Sequence, residues 1–287
     1  MKLRLVGLAY KLRKKRFEVL INPVHSRTIW MDNLSRFTGA QWKIASLGDV
    51  LNMKEEVKKV TDKFYDELIP VPPDTEFEFF RNKEFTENLL KQAVLLKKPH
   101  ITIPNSHGKS FRLVVFPGAN GSWKTWPLRN YIEICRRLLQ DFPKLQIVIA
   151  GSSREKGAAH ELEISISSSN VLNLAGQASL LEIVKLMQTS VLTVSNESSP
   201  VHIAASIRAP VVCISHGKFF GRFDPYPSNI AECITYVYPE RISRGYDGED
   251  LIKSISVDKV YRIVKEKIEK AVENISSEAI SSKNFIM

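Results

Sequence analysis

A short segment of the sequence places a carboxylate, two serines and a histidine around the start of a predicted helix. The apolar run at residues 191–194 predicts a buried strand, and Pro200 opens the helical run that follows. Glu197 begins the polar turn between them, and His202 lies just inside the helix. The first N–H groups of a helix have no partner within it, and the helix dipole attracts negative charge. The segment is therefore a candidate site for a phosphate or diphosphate.

The same segment also fits a purely structural role. Ser199 is a favourable N-cap residue and proline is common at the first helical position, so these residues would also begin an ordinary helix of an α/β domain. His202 also allows two interpretations. If protonated, it could neutralise a leaving phosphate, or it could simply pack against its neighbours. These residues alone leave both interpretations open.

Two further loops follow predicted strands and carry one prominent charge each. Residues 117–127 contain Lys124, which could act as a point charge on a phosphate. Residues 151–155 end in Glu155, whose carboxylate could accept hydrogen bonds from ribose or sugar hydroxyls. Because ligands of doubly wound sheets lie at the carboxyl ends of the strands, all three loops could contribute to one site. Taken singly, Lys124 could equally be a solvated surface lysine.

Two nearby features could extend this candidate site. Trp123 or Trp126 could stack on a base or sugar, although Trp126 could as well pack against the next helix. The loop at residues 217–225 also follows a predicted strand, and its Lys218 or Arg222 could reach a diphosphate. We see no nucleophile–base pair, Walker motif or metal-spaced cluster in the sequence.

Short apolar runs separated by helical patterns predict the frame that would position these loops. Such runs are typical of a parallel sheet covered on both faces. In the second part of the chain, strands are predicted at residues 112–116, 145–150, 171–174, 191–194, 211–215 and 234–237. In the first part, strands are predicted at 17–21 and 42–45 and helices at 3–16, 26–37 and 76–96, while 50–69 show no clear pattern. The proline-containing segment 97–109 links the two parts.

The composition indicates a globular protein with an uneven charge distribution. The 287 residues include 41 basic and 31 acidic side chains, a net charge of +10. Much of the excess lies in the predicted helix near the N-terminus, which would suit an anionic membrane surface or substrate, or be an ordinary solvated face. No zinc-finger, RNA-recognition or helix-turn-helix pattern supports nucleic-acid binding.

The sequence also argues against several other classes of protein. Cys135, Cys213 and Cys233 each lie in an apolar run, and their odd number and spacing favour neither a disulfide framework nor a zinc site. No apolar run reaches the roughly 18 residues of a membrane-spanning helix, and the N-terminus lacks a signal-peptide pattern. We therefore expect a cytoplasmic protein.

Taken together, the loops resemble the pattern of glycosyltransferase family 9, the ADP-heptose:lipopolysaccharide heptosyltransferases. The order and spacing of the motifs agree over about residues 110–240. The matching motifs are Phe-Pro-Gly-Ala at 116–119, Lys-Thr-Trp-Pro at 124–127, Leu-Ala-Gly at 174–176 with Ser-Leu-Leu-Glu at 179–182, and Asn-Glu-Ser-Ser-Pro-Val-His-Ile-Ala-Ala at 196–205.

This resemblance implies an α/β fold of the GT-B type, with two Rossmann-like domains that have parallel sheets and face a cleft. Residues 1–107 would form the acceptor-side domain, and residues 108–287 the nucleotide-sugar-binding domain with a C-terminal helix. The implied reaction is an inverting, metal-independent transfer of a heptose or related sugar to a lipopolysaccharide core-type acceptor. The nucleotide-sugar, expected to be ADP-heptose, would be a substrate, and no cofactor is expected.

The resemblance also implies roles for individual residues. Lys124 would contact the phosphates, Glu155 would approach the nucleoside and Glu197 the sugar. Ser198, Ser199 and His202 would contact the diphosphate. The expected donor-binding residues are thus Gly118, Ala119, Lys124, Glu155, Glu197, Ser198, Ser199 and His202.

The chain departs from the family pattern in two places. The family's Asp-Ser-Gly is Glu197-Ser198-Ser199 here, which adds a methylene and puts a side chain where glycine lets the backbone approach closely. The family also begins with a strand, a Gly-Asp loop carrying its proposed general base, and a helix, before the part matched by residues 3–21. We find no equivalent here, and Asp49 is in the wrong place to replace it. The first domain is therefore expected to lack its first βα unit and to have an exposed sheet edge or a rearranged sheet.

Two functional hypotheses follow. In the first, the chain is a glycosyltransferase acting on an anionic glycolipid at the cytoplasmic face of the inner membrane, with peripheral contact through its basic N-terminal helix. In the second, which the missing base motivates, it is a catalytically impaired or truncated homologue that binds the nucleotide-sugar. A third hypothesis, nucleic-acid binding, rests on the net charge of the chain alone.

Overall fold

The protein is described here by a computed structural model covering residues 2–72, 74–103, 108–242 and 250–284. The chain divides into two compact units, Met1–Leu96 and Lys97–Met287. The sequence places the division somewhat later, between residues 107 and 108. No helix in these ranges is long and apolar enough to cross a membrane.

The first unit contains a three-stranded parallel sheet with the order β1-β2-β3. Its strands are β1 (Val19–Asn22), β2 (Trp42–Ser46) and β3 (Glu67–Ile69). Its helices are α1 (Lys2–Lys14), α2 (Ile29–Phe37), α3 (Glu55–Thr61) and α4 (Glu78–Leu90). β1 lies at an edge of the sheet formed by the described residues, and its Val19 and Ile21 side chains are about half exposed.

A buried polar network holds the first unit together beside a small apolar cluster. The Tyr65 hydroxyl donates to Asp32 Oδ1 at 2.7 Å and accepts from Asn22 Nδ2 at 2.9 Å. Burial raises the pKa of Tyr65, so its hydroxyl keeps its proton. The buried Arg27 guanidinium forms ion pairs with Asp32 at 3.4 Å and with Asp62. Each buried polar group thus stabilises the unit only while its partners remain in place.

The second unit is built on a six-stranded parallel sheet with the order β6-β5-β4-β7-β8-β9. Its strands are β4 (Ser110–Phe116), β5 (Gln146–Ile149), β6 (Val171–Asn173), β7 (Ser190–Asn196), β8 (Val211–Ile214) and β9 (Ile234–Val237). Its helices are α5 (Leu128–Asp141), α6 (Lys156–Ile166), α7 (Leu180–Thr189), α8 (Ser199–Ile207), α9 (Asp250–Lys253) and α10 (Val257–Asn284). The predicted α/β fold with parallel sheets is confirmed.

Alternate residues of the central strand β4 face two separate cores. Leu113 and Val115 belong to a cluster that includes residues of α5, α6 and α10. Val114 and Phe116 belong to a second cluster that includes residues of α7 and α8. Helices therefore cover both faces of the sheet, which explains why its strands read as continuous apolar runs. All strands run parallel, and the strand order reverses between β4 and β7, the position where doubly wound sheets open a crevice.

The Tyr65 network generates a stability prediction. Tyr65→Phe should lower the free energy of unfolding by about 1–3 kcal/mol, because the buried Asp32 Oδ1 and Asn22 Nδ2 atoms lose the hydroxyl that is their hydrogen-bond partner. Urea denaturation followed by circular dichroism, with hydrogen exchange in β1–β3, measures the change. Tyr10→Phe removes the same atom from an exposed side chain and should be nearly neutral. Equal effects of the two substitutions would show that the network contributes no stability.

Candidate functional site

A cavity of about 480 Å³ opens beyond the ends of β4, β5 and β7, on the side where the order of the strands reverses. Apolar side chains, including Leu180, Ile183 and Ile203, form part of its wall, and polar groups from the strand-end loops form the rest. A mixed cavity of this size suits a nucleotide-sized ligand. The expected site residues that line it are Gly118, Ala119, Lys124, Glu155, Ser198 and Ser199. Glu197 and His202 do not line this cavity.

The buried side chain of Asn196 fixes the loops on either side of this cavity. At the end of β7, its Nδ2 donates to the Pro117 carbonyl at 2.9 Å and to the Gly118 carbonyl at 3.3 Å. Its Oδ1 accepts from the Trp126 backbone N–H at 2.9 Å. Both ends of the loop that carries Lys124 are therefore tied to β7. Sequence reasoning did not single out Asn196, since its role depends on which strands are neighbours.

Gly118 lies directly under the side chain of Glu155. A Cβ atom at Gly118 would lie 2.3 Å from Glu155 Cγ, so only glycine fits without displacing the glutamate. Glu155 is held in place because its Oε2 accepts the Ser152 N–H at 2.6 Å and also the Ser152 hydroxyl. This is a capping box that begins the turn before α6. The expected contact with a ribose would therefore fall to Oε1.

The start of α8 provides backbone donors at the cavity wall. Its N-cap is Ser198 and its first residue is Ser199, so the expectation that Ser199 caps the helix is wrong by one residue. Ser198 has extended backbone angles, and its side chain turns back to the Asn196 carbonyl at 3.3 Å instead of capping the helix. Pro200 has no N–H and the Val201 N–H donates to the Ser198 carbonyl at 3.0 Å, so the donors that this helix start can offer to the cavity are the N–H groups of Ser198 and Ser199. Ser199 adopts ordinary helical geometry, so a side chain is tolerated at this position without strain.

Glu197 is only 7% exposed, and its surroundings act on the pKa of its carboxyl in opposite directions. Burial raises the pKa of its carboxyl to about 7, although the positive charge of Lys124 opposes the shift and Asp224 adds to it. Asp224 is also buried, which raises its own pKa, and it accepts a hydrogen bond from the Ser215 hydroxyl. Lys124 therefore lies near a Glu197 carboxyl that is partly protonated at neutral pH.

His202 contacts a tyrosine that sequence reasoning missed. Its Nδ1 lies 2.9 Å from the Tyr226 hydroxyl oxygen. Burial lowers the pKa of His202, with Lys124 adding to the effect, so the neutral imidazole is favoured where the sequence suggested a protonated one. Burial raises the pKa of Tyr226 to about 12, so its hydroxyl keeps its proton and can donate to Nδ1. In that arrangement Nε2 carries the imidazole proton.

The two tryptophans beside Lys124 have different roles. Trp126 is fully buried, donates its Nε1–H to the Ile255 carbonyl at 2.9 Å and packs edge-on against Tyr131, so it is a core residue. Trp123 is half-buried, and its ring lies 5.6 Å from Lys124 Nζ and 4.9 Å from Lys218 Nζ. Trp123 thus groups two cations beside the site.

The loop after β8 closes on itself around Asp224. Gly217 N–H donates to the Ser215 hydroxyl at 3.0 Å, and Gly221 N–H to the Asp224 carbonyl at 2.7 Å. This fold places Lys218 against Trp123, whereas Arg222 lies over Phe223. Of the two expected cations, only Lys218 is therefore directed toward the Lys124 loop. Within the described residues, no group of three or more histidine, cysteine or acidic side chains is arranged to hold a metal ion.

The close approach at Gly118 generates a prediction with a matched control. Gly118→Ala should displace Glu155 from its capping box and lower the melting temperature, because the new methyl group overlaps Cγ. Gly157→Ala, also in this region but with no atom within 4 Å of the added Cβ, should be neutral or slightly stabilising within helix α6. Differential scanning calorimetry compares the two. Equal melting temperatures for both variants would contradict the packing described.

The buried Glu197 generates a prediction about pH. Its folded pKa is about 7, raised from 4.5, so the folded state binds this proton more tightly than the unfolded chain. The resulting stability is present below pH 4.5 and is lost as pH rises through 7. Glu197→Gln should therefore gain stability relative to the wild type between pH 5 and 8, by roughly 3 kcal/mol at most. Urea denaturation across this range measures the difference.

A control separates this effect from the loss of any carboxylate. Glu161→Gln changes an exposed glutamate of α6, and its difference from the wild type should stay flat with pH. Titrating groups that do not interact with Glu197 are common to all three proteins and cancel in the comparison. A flat difference for Glu197→Gln as well would show that Glu197 is not buried as described.

Sequence comparisons place this site in a known family. The profile of glycosyltransferase family 9 (heptosyltransferase) matches residues 80–241, more than half of the chain. Lipopolysaccharide heptosyltransferase 2 of Salmonella typhimurium is 30% identical over 125 residues, which cover 42% of this chain and 35% of that protein. Lipopolysaccharide heptosyltransferase 1 of Campylobacter coli is 23% identical over 157 residues, covering 54% and 46%. The chain thus spans less than half the length of these curated relatives.

Solved structures agree on the fold. Escherichia coli ADP-heptose lipopolysaccharide heptosyltransferase II superposes with a TM-score of 0.64 at 17% identity, covering 94% of this chain and 82% of that one. A family 9 glycosyltransferase from Veillonella parvula gives 0.63 at 16% identity, covering 93% and 78%. At these identities the likeness shows the fold alone, which in these neighbours is of the GT-B type. The matched profile, which includes every residue expected in the donor site, shows that the chain belongs to glycosyltransferase family 9.

Proposed function

We propose that the chain is a glycosyltransferase that moves a heptose or related sugar from a nucleotide-sugar, ADP-heptose, to a lipopolysaccharide core-type acceptor. The observation that carries the proposal is the cavity at the reversal of the strand order, lined by Lys124 and by the N-terminus of α8. The named relatives in the family are lipopolysaccharide heptosyltransferases, which favours this donor and acceptor class.

The donor would lie across the cavity with its diphosphate at the start of α8. Lys124 would pair with the phosphate oxygens as a point charge, and the N–H groups around Ser198 and Ser199 would donate to them. His202, which contacts Tyr226 and lies outside the cavity lining, would meet the diphosphate only where the donor extends beyond the cavity. This positive environment supports departure of the nucleoside diphosphate without an obligatory metal ion or cofactor, which we include in the proposal.

The nucleoside would occupy the other end of the cavity. Gly118 and Ala119 would allow its close approach along the loop after β4, and Glu155 would accept a ribose hydroxyl at Oε1. Leu180 and Ile183 would contact the apolar faces of the base. Glu197 would contact the sugar, and its longer side chain, compared with the family's aspartate, is the first place to look for a change of donor.

The proposed reaction is a direct displacement at the anomeric carbon. An acceptor hydroxyl oxygen forms the new bond to C1 while the bond from C1 to the diphosphate oxygen breaks, so the anomeric configuration inverts. The acceptor's proton passes to a base, which we assign to no residue of this chain. The acceptor would be an anionic glycolipid, met by the residues predicted as the acceptor-side domain, 1–107. We accordingly propose that the protein works at the cytoplasmic face of the inner membrane.

A second candidate function is binding of the nucleotide-sugar without transfer. The donor-site residues form a coherent set, and none of them is assigned as the general base. A catalytically impaired homologue would keep the cavity and the α8 contacts and would therefore bind the donor as tightly as an active enzyme.

The two candidates are tested by binding and turnover on the same protein. Calorimetry should show that the chain binds ADP and ADP-heptose, and that Lys124→Ala weakens both by about tenfold or more, since a hydrogen bond to a charged group is lost. Lys144→Ala, which removes an exposed lysine outside the cavity, should bind like the wild type. A transfer assay with a heptose-free core acceptor then follows ADP release and the mass of the product. Binding with no turnover would favour the second candidate, and absence of binding would overturn both.

A further inference from the structure

Lys124 is a cation that the cavity shares with two buried carboxyl groups. Its side chain lines the cavity, and its positive charge acts on the carboxyls of both Glu197 and Asp224. Neither carboxyl lines the cavity, although Glu197 immediately precedes Ser198, which does. An anion that binds beside Lys124 therefore competes with the two carboxyls for the same positive charge.

The register of β7 and β8 explains why these carboxyl groups lie together. Asn196 pairs with Ile214, and the Glu197 N–H donates to the Ile214 carbonyl at 3.1 Å. Glu197 and Ser215 therefore extend from the ends of neighbouring strands, and the Ser215 hydroxyl donates to Asp224 Oδ2. Glu197 is 7% exposed and Asp224 1%, so water cannot replace a counter-charge that either of them loses.

We infer that binding of a diphosphate beside Lys124 is accompanied by the uptake of a proton, which Glu197 holds in the complex. The bound phosphate takes over the positive charge of Lys124 and adds negative charge of its own, and both changes disfavour an ionised carboxylate at Glu197. The carboxyl then binds a proton from solvent, because the alternative is a buried charge without a partner. The inference rests on the proposed diphosphate site and requires no contact between Glu197 and the ligand.

The charges around Glu197 set the pH range of this uptake. Burial raises the pKa of its carboxyl to about 7, Lys124 opposes the rise and Asp224 adds to it. Burial also raises the pKa of Asp224, whereas its hydrogen bond from Ser215 and the nearby His216 lower it. In slightly alkaline solution the free protein therefore holds Glu197 mostly ionised. A further rise of about one pKa unit on binding would leave Glu197 about half protonated at pH 8.

Within the described residues, His202 and Cys213 are also within electrostatic reach of Lys124. Burial raises the pKa of the Cys213 thiol, so this group already carries its proton. Burial and Lys124 lower the pKa of His202, so its imidazole is neutral and is the alternative acceptor of a proton when a phosphate binds. A measurement on a Glu197 variant distinguishes the two groups.

Calorimetric titration of the full chain with ADP tests the inference. The binding enthalpy is measured in HEPES and in Tris at the same pH, because the difference between buffers with unlike ionisation enthalpies gives the number of protons taken up. The wild type should take up about 0.4 proton per ADP at pH 8, and its affinity should fall about fourfold between pH 7 and 8.5. A phosphate group loses its second proton near pH 6, so ADP itself contributes little in this range.

Two variants separate Glu197 from other glutamates. Glu197→Gln keeps the shape of the side chain but cannot titrate, so it should bind ADP without proton uptake and with an affinity nearly constant from pH 7 to 8.5. Glu161→Gln changes an exposed glutamate of α6 and should behave like the wild type. Urea denaturation checks that both variants are folded at each pH.

The possible outcomes distinguish this inference from the proposed function. Binding of ADP by the wild type without proton uptake would overturn the inference and leave the proposed donor site standing. Uptake that persists in Glu197→Gln would assign the proton to another group, such as His202, and overturn the role of Glu197. Absence of ADP binding would overturn the donor site and the inference together.

Carbon-13 NMR of the glutamate carboxyls provides a measurement on the wild type that needs no substitution. One carboxyl should titrate at about pH 7 in the free protein and at higher pH when ADP is bound. A midpoint that ADP leaves unchanged would equally overturn the inference.

Discussion

The amide side chain of Asn196 joins the two strands between which the sheet reverses its order. A crevice at this position is useful only if the loops beside it are held apart and in register. A short, buried amide does both, because it donates to the Pro117 carbonyl and accepts from the Trp126 N–H without filling the space. The turn that carries Lys124 lies between those two contacts, and Ser198 follows Asn196 in the chain. The arrangement of the loops beside the cavity therefore depends on one buried side chain that does not line it.

Charge in the site is arranged around the same frame. Burial favours the neutral forms of Glu197, Asp224 and His202, since ionising any of them would leave a charge in a poorly solvated place. Lys124 thus lies near groups whose neutral forms are favoured by burial. A diphosphate bound beside Lys124 would supply negative charge there.

The sequence predicts the strands with long apolar runs better than the short strands. β4 and β7 are long apolar runs and are found close to the predicted residues. β3 was missed, because it has three residues and only Ile69 is well buried. α4 ends at Leu90, earlier than predicted, because Lys91 adopts a left-handed conformation. Helix ends of this kind are usually recognised by a glycine, and here the residue is a lysine. The loops of the site could be identified from their residue types, whereas the contacts of Asn196 and Tyr226 could not. These contacts join residues far apart in sequence, and they require the strand order to be known.

The two units bury their apolar residues to different extents. In the second unit, the strands place apolar side chains in cores on both faces of the sheet. The first unit relies on the Arg27, Asp32 and Tyr65 network beside a cluster of only Ile44, Ile69 and Phe85 with a few neighbours. A hydrogen-bonded network specifies one arrangement but removes little apolar surface from water. The large side chains of α1 and α2, such as Val6, Tyr10 and Trp30, therefore remain outside the buried cluster.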